Sequence, residues 1–259
     1  MEKKNYTGKY FRDSMPEWKR KKDCALCRYS FRPISFYISA WLANLGISAN
    51  TVSYASVFVS IAAALCFLID NYWWYVAGGI LFNVWYMMDT IDGNLARSVR
   101  KQPFGAFADS MSSYVLVALM GAPIGYAVYC NGGIVLESGN ALYIVAGAFA
   151  STGDTLMRLV YQKYKATERE LQDKGVLVVE YDQRLDENAT TSLLVRLEEW
   201  LGVGGYLCFI ILLCTIFNAL DLVLIYIFFY YVGACVLMLF KYSKKAIVLA
   251  DKYGDKMPQ

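Results

Sequence analysis

The chain has 259 residues and a net charge of +3, from 25 lysine and arginine residues against 22 aspartate and glutamate residues. Hydrophobic residues make up 57% of it and aromatic residues 16%, which excludes an ordinary soluble domain and points to an integral membrane protein. It contains no histidine. Imidazole acid–base chemistry and imidazole metal ligation are therefore excluded, and any bound metal must sit on oxygen ligands, which favours Mg²⁺, Mn²⁺ or Ca²⁺ over zinc.

Residues 1–32 are basic and polar, with Lys19, Arg20, Lys21 and Lys22 as the densest run. Cys24 and Cys27 form a lone C-x-x-C there. A metal or redox role would want a second pair or a thioredoxin-like context, and neither is present. Charge then vanishes from Pro33 to Ile69, more than the about 20 residues one span needs. The segment L-G-I-S-A-N-T at 45–51 divides this stretch, with Gly46 as the break and Ser48 or Asn50 as the cap of a new helix. The pattern predicts an amphipathic interfacial helix over 33–45, anchored by Tyr37 and Trp41, and a first transmembrane helix over 50–69.

A second helix is predicted over 73–98 and a third over 104–129. Residues 131–140 form a turn-rich loop without lysine or arginine. A fourth helix is predicted over 141–163, then a charged cytosolic loop over 163–199, a fifth helix over 203–219 and a sixth over 221–242. Lysine and arginine collect in the N-terminal segment, at 97–101, in 163–199 and in the tail, while the loops at 70–72, 131–140 and 218–221 have none. The positive-inside rule then puts both ends of the chain on the cytosolic side of a six-helix, multi-pass protein.

The densest chemistry reads D-T-I-D-G-N-L-A-R over 89–97, then, after seven residues, G-A-F-A-D over 105–109. Asp89 and Asp92 lie three apart and Ala96 follows four later, so they share a helical face. Gly105, Asp109 and Ser113 share another. On the predicted topology both faces lie at the cytosolic ends of consecutive antiparallel helices, so the three aspartates can converge. Carboxylates beside a bilayer are costly unless a cation meets them. Divalent metal is the simplest such partner, and a neighbouring arginine, Arg97, suits a phosphate-bearing substrate. Gly93 and Gly105 remove side-chain bulk, which allows close packing or a nucleotide against backbone. A single D-x-x-D at a helix end would only mark the membrane boundary; the combined pattern is far more specific. Asp154 and Arg158, four apart, read either as a local ion pair or as a place for an acceptor's phosphate or carboxylate.

The pattern resembles the signature of the CDP-alcohol phosphotransferase family, D-x2-D-G-x2-A-R-x8-G-x3-D-x3-D. R-P at 32–33 and L-G-I-S-A-N-T-V-S at 45–53 resemble the family's interfacial helix and the start of its first transmembrane helix. The resemblance implies an all-α integral membrane fold, with a basic segment and interfacial helix over 1–45 and six transmembrane helices over 46–259. It implies transfer of a phosphoalcohol from a CDP-linked donor to an alcohol, with release of CMP, in phospholipid synthesis. It also implies two divalent ions, Mg²⁺ or Mn²⁺, membrane lipid as a partner, and a homodimer; no nucleic acid partner is expected. Asp89, Asp92 and Asp109 match the metal-binding aspartates and Arg97 the arginine near the diphosphate. Gly93 matches the small residue beneath the nucleotide; Asn50 and Thr51 match the donor-contacting helix start. Gln102 stands where relatives often place a Ser or Thr near the donor, three before Gly105.

Two departures stand out. The spacer from Arg97 to Gly105 is seven residues rather than eight, which a loop can absorb. More seriously, Ser113 occupies the place of the fourth aspartate, a metal ligand and the proposed general base. A serine is a poor base at neutral pH. Three explanations compete: an active-site variant made to trap a complex, which is favoured here because the surroundings of Ser113 are otherwise intact; a natural member of weakened or changed activity; or another group, such as substrate phosphate, as base. CDP-diacylglycerol with a small polar alcohol is the expected pairing. A CDP-amino-alcohol with diacylglycerol, or a non-catalytic CDP-lipid-binding member, is the alternative.

Overall fold

Capping side chains set where the helices begin. Thr7, Ser48 and Asn71 each stand in extended backbone one residue before a helix and accept a hydrogen bond from a first-turn N–H, at 3.2, 3.2 and 2.9 Å. A computed structural model describes residues 5–177 and 200–253. Two short helices, α1 (Gly8–Asp13) and α2 (Glu17–Lys22), are followed by a π-helical turn, Cys27–Phe31, that runs directly into α3 (Arg32–Asn44). Then come α4 (Ala49–Phe67), α5 (Tyr72–Ser98), α6 (Gly105–Asn131), α7 (Leu142–Asp173), α8 (Leu207–Ile216) and α9 (Leu220–Tyr253). Among the described residues there is no strand. Gly46, at φ +75°, ends α3 in the left-handed conformation that a helix terminus favours, and Ser48 rather than Asn50 caps α4.

Among the described residues, three helices are long and apolar enough to cross a membrane: α4, α6 and α9. Tyrosines, tryptophans and Asn83 lower the hydropathy of α5 ahead of its charged end, Asp154 and Arg158 interrupt α7, and α8 has only ten residues. The fifth helix, expected over 203–219, is thus shorter than predicted, because the glycine-rich 202–206 segment forms turns ahead of it. The fourth helix is longer: α7 continues ten residues beyond 163. The loop expected over 163–199 therefore begins as helix; its residues 178–199 lie outside the described ones. Charge ends a membrane span but not a helix. Lys165 and Glu168, and Glu170 and Lys174, pair along this part at 2.7 Å each. The sixth helix likewise runs to Tyr253 rather than 242. The overhangs of α7 and α9 pack together, with Tyr242 against the rings of Tyr161 and Tyr164 and Lys245 facing Glu168 at 3.7 Å.

Helix α4 lies between α5 and α6, α6 packs on α7, α7 on α9, and α8 on α5. Small buried residues, Ser53, Ser56, Ser60 and Ala63 among them, give α4 the slim face that sits between two neighbours. Where α6 crosses α7, a Cβ at Gly121 would lie 2.2 Å from the Gly147 carbonyl oxygen, so backbone meets backbone and only glycine fits. Phe67, Phe82, Trp85, Leu116, Ile124 and Leu224 fill the centre of the bundle. A second apolar cluster, Phe11, Met15, Phe36, Ile91 and Leu95, joins the N-terminal helices to the C-terminal end of α5. The basic N-terminal segment is thus a folded layer over the ends of α4 and α5. The Tyr10 hydroxyl, which donates to the Ser98 carbonyl at 2.7 Å, fastens it further.

Candidate active site

Asp89 and Asp92 sit in the C-terminal half of α5, and Asp109 in the second turn of α6. One carboxylate oxygen of each lies within 4.8 Å of the others. Asp92 is buried, Asp89 half-buried and Asp109 exposed. The convergence foreseen from sequence is present, but not through direct pairing of two consecutive helices. α5 and α6 touch little and are registered by α4 between them. The Ser53 hydroxyl donates to Asp92 Oδ2 at 2.6 Å. Ser56 and Ser112 hydrogen-bond across α4 and α6, and Trp85 Nε1 donates to Ser112 Oγ at 2.8 Å. Among the described residues, no lysine or arginine pairs with the three carboxylates, and Ser53 is the one side chain donating to them. Three acidic groups this close repel unless a cation lies among them. An all-oxygen donor set of this kind fits Mg²⁺ or Mn²⁺.

A chamber of about 510 Å³ opens on this cluster. It is lined by Asn50 and Ser53 of α4, Gly93 and Arg97 of α5, Gln102, and Gly105 of α6, besides the aspartates. The Arg97 guanidinium folds back over Gly93: a Cβ there would lie 2.8 Å from Arg97 Nη2. Gln102 Oε1 accepts from the Asn50 N–H at 3.3 Å, and Asn50 Nδ2 donates to the Pro103 carbonyl at 3.0 Å. These bonds tie the start of α4 to the turn that carries the shortened spacer. That turn closes with Phe104 in the left-handed region, at φ 59°, a conformation costing a non-glycine residue about 1 kcal/mol. Thr51 alone among the expected donor contacts does not line the chamber. It is exposed and its hydroxyl bonds Ser48 Oγ at 2.9 Å, so it serves the helix cap.

A second chamber, about 670 Å³, lies on the other side of the cluster and shares Lys19, Asp89 and Asp109 with the first. It is also lined by Ser113, Asp154, Arg158, Trp200 and Tyr231. The Ser113 hydroxyl donates to the Ser110 carbonyl at 3.0 Å, a bond within its own helix. Asp154 and Arg158 form the ion pair their spacing suggests, at 2.6 Å, with Asp154 buried. Among the described residues, the buried Tyr231 hydroxyl and Trp200 Nε1 have no hydrogen-bond partner.

Sequence reasoning missed three contributors. Ser53 carries no local signal, since its bond to Asp92 spans 39 residues. Arg32 was noted only within an R-P pair. Its guanidinium, 5% exposed, makes a two-pronged contact with Asp23 at 2.6 and 3.1 Å and donates to Asn94 Oδ1 at 2.9 Å. Burial pushes the Asp23 carboxyl up, but the Arg32 hydrogen bonds and the Lys19 charge outweigh it and hold the group below the usual carboxylate range. Lys19 was read only as part of a topogenic run.

An oxygen-ligand cluster beside an arginine, opening to two chambers at the ends of membrane-length helices, marks the class of membrane enzymes that handle phosphate-bearing substrates. The family model for CDP-alcohol phosphatidyltransferase matches residues 46–195, more than half of the chain, and the protein belongs to this family. It is therefore a member of a membrane transferase family of phospholipid synthesis. Members move a phosphoalcohol from a CDP-alcohol and generally depend on divalent metal. No curated protein matches the chain.

Proposed function

We propose that the protein moves the phosphatidyl group of CDP-diacylglycerol to a small polar alcohol and releases CMP. The observation that carries this reading is the set of three carboxylates within 4.8 Å of one another, at the junction of two chambers. Asp89, Asp92 and Asp109 would hold two Mg²⁺ or Mn²⁺ ions. Bound there, such ions supply positive charge to the donor diphosphate and to the oxygen that leaves with CMP. Arg97 adds a fixed cation at the lip of the first chamber. Gly93 and Gly105 leave room for the nucleotide, with Asn50 and Gln102 bordering it; Thr51 acts through the cap of α4.

The second chamber supports the direction of transfer. Among its mostly apolar and aromatic lining, Lys19, Lys22, Asp154, Arg158 and Tyr231 supply the charges and the hydroxyl that suit a small polar acceptor. The full reading includes six membrane crossings, α3 as the interfacial helix, cytosolic chain ends and active site, and a homodimer.

The test is CMP release by purified protein with Mg²⁺ or Mn²⁺. One arm holds CDP-diacylglycerol with a panel of polar alcohols; the other holds CDP-choline or CDP-ethanolamine with diacylglycerol. Release in the first arm is expected; release confined to the second would reverse the direction. Ser113, whose hydroxyl is spent on its own helix, favours a second reading, a non-catalytic CDP-lipid binder. Ser113→Asp run alongside decides it. Strong gain of turnover marks position 113 as the disabled base; silence from both proteins, with metal-dependent CMP binding retained, establishes the binder.

A further inference from the structure

Residues 46–195 match the family model, and α2 lies outside them. Yet α2 places a lysine over the carboxylates. Lys19 is the one cation among the described residues that lines both chambers, and the residues it shares there are Asp89 and Asp109. These three side chains border both chambers.

Its position is built into the fold. Asp23 ends α2 and is gripped by the buried Arg32, which is in turn bonded to Asn94 of α5, two residues beyond Asp92. Phe11 and Met15 bury the preceding segment against α5. The Lys19 ammonium has three donors. It stands 3.2 Å from Asp23 Oδ1 with its side chain 23% exposed, and Asp23 is already occupied by Arg32. Lys19 therefore keeps donors for a ligand.

We propose that Lys19 is a catalytic residue supplied by the N-terminal segment, contacting the phosphoryl oxygens of the group in transit between the chambers. The proposal rests on the transferase reading above. In that reaction the acceptor hydroxyl oxygen bonds the phosphorus of the phosphoalcohol. The bond from this phosphorus to the bridging oxygen breaks, CMP leaves with its electron pair, and the hydroxyl proton passes to water. Charge spreads over the non-bridging oxygens as this happens, and an ammonium at the junction meets it there.

The experiment compares wild type, Lys19→Met, Lys19→Arg and Lys21→Met in detergent. Lys21 points away and pairs with Glu17. Each is assayed for steady-state CMP release and for thermal stabilisation by CMP with Mg²⁺. Lys19→Met should lower kcat by about 10- to 100-fold while leaving the affinity for CMP within about twofold of wild type. Lys19→Arg should recover most of the loss, and Lys21→Met should match wild type. Wild-type kcat in Lys19→Met overturns the proposal. So does a loss of CMP affinity equal to the loss of kcat, which would make Lys19 a prop of the donor chamber. A wild type that releases no CMP with any substrate pair brings down the transferase reading and this proposal together, and is told apart because no variant then matters.

Discussion

Carboxylates gather at both ends of α6, and the two ends solve the same problem differently. At the far end Asp221, wholly buried, opens α9 and accepts the backbone N–H groups of Val135 and Leu136 at 2.6 and 3.0 Å. Gly133 lets the loop close over it: a Cβ there would lie 2.1 Å from the Asp221 carboxyl. Both bonds fall on Oδ2, at the positive end of a helix, while Oδ1 is buried without a partner among the described residues; the pair of backbone bonds pins the 131–140 loop. At the near end, Asp89, Asp92 and Asp109 converge with Ser53 as the one side-chain donor among the described residues. A carboxylate answered by its own chain is structural. Three side by side that, among the described residues, no lysine or arginine pairs with define a place for something that is not the chain.

The contrast is sharpest on neutralising each site in turn. Asp92→Asn should lower CMP release by about 1,000-fold or more. It should also abolish the rise in melting temperature caused by Mg²⁺, a rise worth about 2.7 kcal/mol in wild type at a hundredfold excess over Kd. Melting without metal should not fall, because a mutual repulsion has been removed. A destabilised, still active Asp92→Asn would make the near cluster structural after all.

Asp221→Ala should do the opposite, costing about 1–2 kcal/mol of stability because two part-buried N–H groups lose their acceptor. Turnover per folded molecule should be unchanged; chemical unfolding beside single-turnover CMP release reads both. Equal losses in stability and turnover would erase the distinction between the two ends.

Smallest is Gly93→Ala. The added Cβ meets only the flexible end of Arg97, so the guanidinium moves off. KM for the CDP-linked donor should rise about tenfold. Melting temperature should rise slightly, alanine being better in a helix by about 1 kcal/mol. A fall in stability would show that Gly93 serves packing instead.

Much of this site was legible because helical spacing is local. Asp89, Asp92 and Ala96 on one face, and Asp109 with Ser113 on another, follow from a period of 3.6 residues. The Asp154–Arg158 pair follows from the same arithmetic. Ser53, Arg32 and Lys19 were not legible as site residues, because their roles depend on which helices meet. The Arg32–Asn94 bond joins residues 62 apart. Helix ends were misjudged for another reason: hydropathy reports where a membrane would stop, and α7 and α9 do not stop there. Nor does spacing show that α4 mediates between α5 and α6; its serine-rich face was the available sign.

Those overhangs have a practical consequence. At 1.5 Å per residue α9 is about 51 Å long and α7 about 48 Å, against a hydrocarbon layer of about 30 Å. With α9 seated in the bilayer, the joined ends form a mast that rises into water, with Lys174 and Gly175 at its top. A fluorophore attached there would stand well away from both chambers. Its quenching by a membrane-impermeant agent would report the sidedness of reconstituted vesicles without disturbing the chemistry below.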